Sequence, residues 1–166
     1  MPIYGLPLED KQLFDLINVV LPGWLSLVLL PRWRYSQNVA AASALVMAVL
    51  YTALLLSSMF APQEGAAKIE LSDMFTYEGV VRLLSTPAAV LPAWVHYAAF
   101  DLWVARWAAA DSVERGVPQL LLMPCLLAVM FFGPAGLVLY LLLRTPFSKA
   151  AASGSGSGSG GRKKRA

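Results

Sequence analysis

The run VAAASALVMAVLYTALLLSSMF, residues 39–60, constrains this chain more than any other stretch, because it goes 22 residues without a charge. As a helix rising about 1.5 Å per residue it is long enough to cross a hydrocarbon core about 30 Å thick. Ala40, Ala41, Ala42, Ser43, Ala44 and Ala48 would let a neighbouring helix approach closely, as membrane helices do when they associate. The rest of the chain fits the same setting. Hydrophobic residues make up 58% of it and charged residues 14%, against about 25% charged residues in an ordinary soluble domain.

Three further runs resemble it. Residues 13–31, LFDLINVVLPGWLSLVLLP, are interrupted by Asp15, Asn18 and Pro22. A third run extends from Ala88 to about Ala110. The fourth, residues 117–143, contains FFGPAG, where Pro134 between Gly133 and Gly136 predicts a kink or a break into two half-helices. The expected fold is therefore an all-α, four-transmembrane-helix bundle over residues 13–147, preceded by a segment 1–12. Residues 61–87 begin polar, and then Leu71, Met74, Phe75, Val81 and Leu84 follow helical spacing, which predicts a short helix on the membrane surface. Residues 148–166, with the repeat SGSGSGSGG and RKKR, have the composition of a flexible linker, native or engineered.

With four crossings, Lys11, Lys68, Arg82, Arg144 and Lys149 fall on one side and Arg32, Arg34, Arg106 and Arg115 on the other. Basic residues favour the inner side of a membrane, so only the basic tail would decide the orientation, with both ends inside. Neither a basic, serine-rich transit region nor a cleavable signal is expected in the N-terminal segment.

The third run, AWVHYAAFDLWVARWAAAD at 93–111, is the polar one, carrying His96, Asp101, Arg106 and Asp111 among five aromatic side chains, Trp94, Tyr97, Phe100, Trp103 and Trp107. At about 100° per residue, His96, Phe100, Trp103 and Trp107 share one stripe. Trp94, Tyr97, Asp101, Val104 and Ala108 share another, turned by about 140° from the first. His96 and Asp101 thus cannot pair within this helix. An acid at the centre of a membrane helix costs about 2.5–3.5 kcal/mol on insertion scales, so Asp101 should face the bundle interior, as a functional group or as a partner that holds helices together. Arg106 and Asp111 lie nearer the span end and can reach the interface. His96 reads as a buried histidine, a proton donor or an axial ligand to a haem or chlorophyll metal. Trp94, Trp103 and Trp107 suit either an interfacial belt or the walls of a pocket for a long flat ligand, and Trp103, farther from a span end, suits the pocket more than Trp107 does.

One histidine and one cysteine, Cys125, leave no multi-His or Cys-rich metal site within one chain. Cys125 lies in the apolar MPCLL, an inert setting for a thiol. LPRWR at 30–34 ends a span with basic and aromatic anchors. No phosphate-binding glycine loop and no nucleic-acid module is present in the sequence.

LPRWRYSQNV, WVHYAAFDLWVARW, Asp111 followed by GVPQLLLMPCLL, and FFGPAGLVLYLLLR, in that order, resemble the abscisic acid-deficient-4-like family. These are small four-span proteins of plants, algae and bacteria whose plant members are associated with neoxanthin synthesis. The resemblance runs from about Leu13 to Arg144. It implies a carotenoid (xanthophyll) ligand, membrane lipids and other membrane proteins or a second copy as partners, and no nucleic acid. It places the chain in a plastid membrane or a bacterial inner membrane. The associated reaction, violaxanthin to neoxanthin, opens an epoxide to an alcohol while a proton leaves the neighbouring polyene carbon. It needs a general acid and a base but no cofactor. His96 is the expected acid and Asp101 the expected base, with Asp111 and Arg106 in reserve. Because the two stripes diverge, Asp15 or Tyr140 is the alternative source of the second group. Trp94, Tyr97, Phe100 and Trp103 are the expected walls for the polyene. The same residues also suit a pigment-binding subunit without catalysis, and the small-residue face of residues 39–60 suits an assembly factor.

Overall fold

In a computed structural model that describes residues 9–60 and 71–147, the chain is helical, with no strand among the described residues. The expected N-terminal residues 1–8 and flexible tail 148–166 lie outside the described residues, as does the polar start of the 61–87 connection. The interrupted first run winds as α1 (Asp10–Asp15), a 3-10 turn (Leu16–Val19) and α2 (Val20–Leu29). Pro22 sits in the first turn of α2, where a missing N–H removes no intrahelical bond. The charge-free run becomes α3 (Ser36–Phe60). A second 3-10 turn, Leu71–Phe75, leads into α4 (Tyr77–Ser85), whose first turn is capped by Thr76 accepting the Gly79 N–H at 3.1 Å.

α5 (Pro87–Arg115) opens with proline, whose fixed φ suits a first helical turn. It ends at Gly116, whose φ of 71° lies in the left-handed region. Tyr77–Ser85 and Ala89–Arg115 meet at 99°, so α4 lies across the axis of α5. By length and composition Lys11–Leu29 and Ser36–Ser58 can each cross a membrane, and α5 adds a third crossing when its bent pair with α4 is taken as one span.

The expected fourth crossing over 117–143 is not a single rod. It is divided into α6 (Gln119–Phe132) and α7 (Pro134–Leu143), 14 and 10 residues long. These rise only about 21 and 15 Å, each short of a hydrocarbon core of about 30 Å. The two halves are antiparallel. Gln119, opening α6, donates to the Val28 and Leu29 carbonyls at 3.2 and 2.7 Å. Arg144, just past α7, reaches Asp111 in the last turns of α5 at 3.2 Å. A straight helix would hold Gln119 and Arg144 about 37 Å apart. Gly133 makes the reversal with φ 48° and ψ −105°. Gly136 lets the halves touch: a Cβ there would lie 2.1 Å from the Val129 nitrogen. Hydropathy marks such a break but carries no sign for the direction taken after it.

Leu13, Leu27, Met47, Leu102, Leu126, Val129 and Tyr140 form the fully buried centre. At Gly23 three helices converge, with a Cβ position 2.8 Å from Leu102 and 3.1 Å from Ser43. The bundle has two unlike ends. One carries α1 and α4; the other carries the 30–35 loop, the Gly116–Pro118 turn and Arg144.

Candidate functional site

α5 distributes its polar residues over three places, each against a different neighbour. His96 lies on the α3 side. Its ring stacks on Phe100 at 4.6 Å between centroids and meets the edge of Tyr51 from α3 at 5.3 Å. Beyond Phe100 the small residues of α3 and α5 leave a groove of about 220 Å³, lined by Ala44, Leu45, Ala48, Ala99, Phe100 and Trp103. At its far end Arg106 donates from Nε to the Gln37 carbonyl at 3.0 Å, with its guanidinium 4.9 Å from the Trp103 ring centroid. His96, Tyr51, the groove and Arg106 therefore follow one line over ten residues of α5, about 15 Å.

Asp101 faces elsewhere. Its Oδ1 lies 2.9 Å from the position a Cβ would take on Gly133, so the carboxylate abuts the reversal between α6 and α7. The expected inward direction of Asp101 agrees with this. His96 and Asp101 are not brought together.

Asp111 is the centre of a third arrangement. Arg115 Nε donates to both its oxygens at 2.8 and 2.9 Å, Arg144 Nη1 to both at 3.2 Å, and the Tyr140 hydroxyl to Oδ2 at 2.6 Å. Trp107 packs its edge on Tyr140 at 5.9 Å and lies under the Arg144 guanidinium. The arrangement fastens the end of α7 to the end of α5. Each carboxylate oxygen thus accepts from at least two donors.

The rings of Trp94, Tyr97, Phe100, Trp103 and Trp107 are between 43% and 61% exposed, which in a membrane-embedded chain means contact with lipid or a lipid-soluble ligand. Of the expected polyene walls, Phe100 and Trp103 line the groove, whereas Trp94 and Tyr97 lie outside its lining. Tyr51 had no signal beyond being a phenol in an otherwise apolar run. Tyr140 and Arg144 could not be matched to Asp111 without knowing that α7 returns.

A model of the ABA DEFICIENT 4-like family matches residues 12–140, which covers every helix described except the first two residues of α1 and the last three of α7. No curated protein and no solved structure matches the chain. By that match the chain belongs to the ABA DEFICIENT 4-like family.

Proposed function

We propose that this chain binds a xanthophyll along the α3/α5 groove and isomerises its epoxide end group, with Tyr51 and His96 as the acid and base. The family's association with carotenoid and neoxanthin chemistry supplies the substrate class. The observation that carries the reading is the alignment of two proton-transfer groups, Tyr51 and His96, with an apolar groove walled by Phe100 and Trp103. At about 220 Å³ the groove is smaller than the roughly 300–1,000 Å³ of sites that enclose a ligand, so part of a polyene lies in it and lipid covers the rest.

In this assignment the phenol gives its proton to the epoxide oxygen as the C–O bond opens. The imidazole takes the proton from the adjacent polyene carbon, leaving an allene and an alcohol. Transfer from imidazolium to phenolate restores both groups, so atoms and charge balance without a cofactor. Tyr51 answers the difficulty posed by Asp101, which lies by Gly133 rather than on this flank. Arg106 and Asp111 position helices in this reading. We extend the proposal to topology: α1–α2, α3 and α5 cross, and α6–α7 enters the membrane and returns. The same proposal places the chain in a plastid or bacterial inner membrane.

A second reading, pigment binding without catalysis, is favoured by the wholly apolar lining of the groove. Expression in a violaxanthin-accumulating host separates the two. Neoxanthin formed by the wild type should fall about 10²- to 10⁴-fold in Tyr51→Phe and His96→Gln, the range for losing one acid–base group, while Asp101→Asn retains it. Unchanged pigment, with carotenoid co-purifying equally with all variants, would leave the binding role and remove the catalytic one.

A further inference from the structure

The two ends of the bundle differ in charge. The α1/α4 end carries Glu9, Asp15, Asp73 and Glu78 against Lys11 and Arg82, and Arg82 is paired with Asp73. The opposite end carries Arg32, Arg34, Arg106, Arg115 and Arg144 against Asp111 and Glu114. Of these arginines, Arg115 and Arg144 are spent on Asp111. The other three have no carboxylate partner among the described residues. Arg32 donates to the Val117 carbonyl at 3.1 Å, Arg34 to the Tyr35 hydroxyl, and Arg106 to the Gln37 carbonyl at 3.0 Å.

Each of those bonds uses a neutral acceptor and leaves most of the five N–H donors of a guanidinium unspent. Two of the three are also backed by an aromatic ring. Arg34 lies 4.3 Å from the Tyr35 ring centroid and Arg106 4.9 Å from that of Trp103. The rings and carbonyls fix where the guanidinium planes stand. In a membrane-embedded bundle this end lies at headgroup depth, with Trp33 and Tyr35 exposed beside the arginines as interfacial anchors. Fixed guanidinium forks with free donors match phosphate oxygens better than a mobile ammonium does.

We propose that Arg32, Arg34 and Arg106 form a collar that binds the headgroups of anionic phospholipids, so that the chain gathers such lipids around one end only. The charge complementarity is local to that end, since the described residues of the other end are mostly acidic and its Arg82 is already paired. The collar does not depend on carotenoid chemistry.

The test uses the full chain in nanodiscs with equal phosphatidylglycerol and phosphatidylcholine, followed by release into mild detergent and identification of the lipids that stay bound. Phosphatidylglycerol should be retained several-fold over phosphatidylcholine by the wild type and by Arg82→Gln. The preference should vanish in the triple variant Arg32→Gln, Arg34→Gln, Arg106→Gln and survive in part in the corresponding triple lysine variant. Helical content measured on each variant guards against misfolding, and the lysine variant reads the charge in a chain that keeps it. Equal retention of both lipids by the wild type, or a preference that persists in a folded glutamine variant, would overturn the proposal.

Discussion

Asp111 accepts from three side chains on two helices, and its own side chain is only 13% exposed. Replacing it with Asn leaves Arg144 and Arg115 without their acid and keeps one acceptor oxygen where three side chains donated to two. Asp111→Asn should therefore cost about 1.5–3 kcal/mol, the range for hydrogen bonds to a charged group. Tyr140→Phe, which deletes one donor and keeps the ring against Trp107, should cost nearer 1 kcal/mol. Thermal unfolding in a single detergent ranks the two, and the reverse order would mean that the ring contact matters more than the ion pairs. The chemistry at this scale was partly legible in the sequence. The wheel angle alone kept His96 apart from Asp101, and Asp111 with Arg115 is an i, i+4 pair that any helix would bring together. Tyr51 and Arg144 were not legible, because each meets its partner only through the packing of a second helix.

The pair α6 and α7 depends on contact between backbones at Gly136, which no side chain can replace. Gly136→Ala places a methyl 2.1 Å from the Val129 nitrogen and 2.4 Å from the Ala128 carbonyl carbon, atoms that cannot rotate away. Overpacking of that kind costs about 1–3 kcal/mol or more, and here it should prise the halves apart. Cys125 lies on α6 with 0% exposure. A membrane-permeant maleimide should therefore label the Gly136→Ala chain faster than the wild type; equal rates would mean that the hairpin opens elsewhere or tolerates the methyl. Gly116→Ala is the control: open space surrounds it, and only its φ of 71° opposes a side chain, at about 1–2 kcal/mol. The elements themselves were largely readable from sequence, since apolar runs, Pro22, Pro87 and the Gly-Pro break at 133–134 all carry local signals. The sense of the fourth run was not, because a kinked rod and a hairpin share one hydropathy profile and differ only in tertiary contacts.

At the scale of the whole molecule, the proposed topology of three crossings followed by a hairpin puts the two ends of the described chain on opposite sides. In that topology Arg144 joins Arg32, Arg34, Arg106 and Arg115, which ends the near balance of basic residues expected for four crossings and favours the arginine end inside, independently of the basic tail. The proposed topology thus predicts the N-terminal end outside, where four crossings predict both ends inside. Single cysteines replacing Glu9 and Thr145, probed with an impermeant maleimide in sealed right-side-out vesicles, should label at residue 9 and stay silent at 145. Labelling on the same side at both positions would restore an even number of crossings. The hairpin also bears on how the chain is made. In the proposed topology a 14-residue and a 10-residue helix joined by Gly133 need never cross the membrane to reach their places, because both of their outer ends stay on the same side as the end of α5. In that arrangement, once α5 is lodged, the remainder of the bundle enters as a folded wedge from one side, so placing the last two helices is a folding step rather than a translocation step.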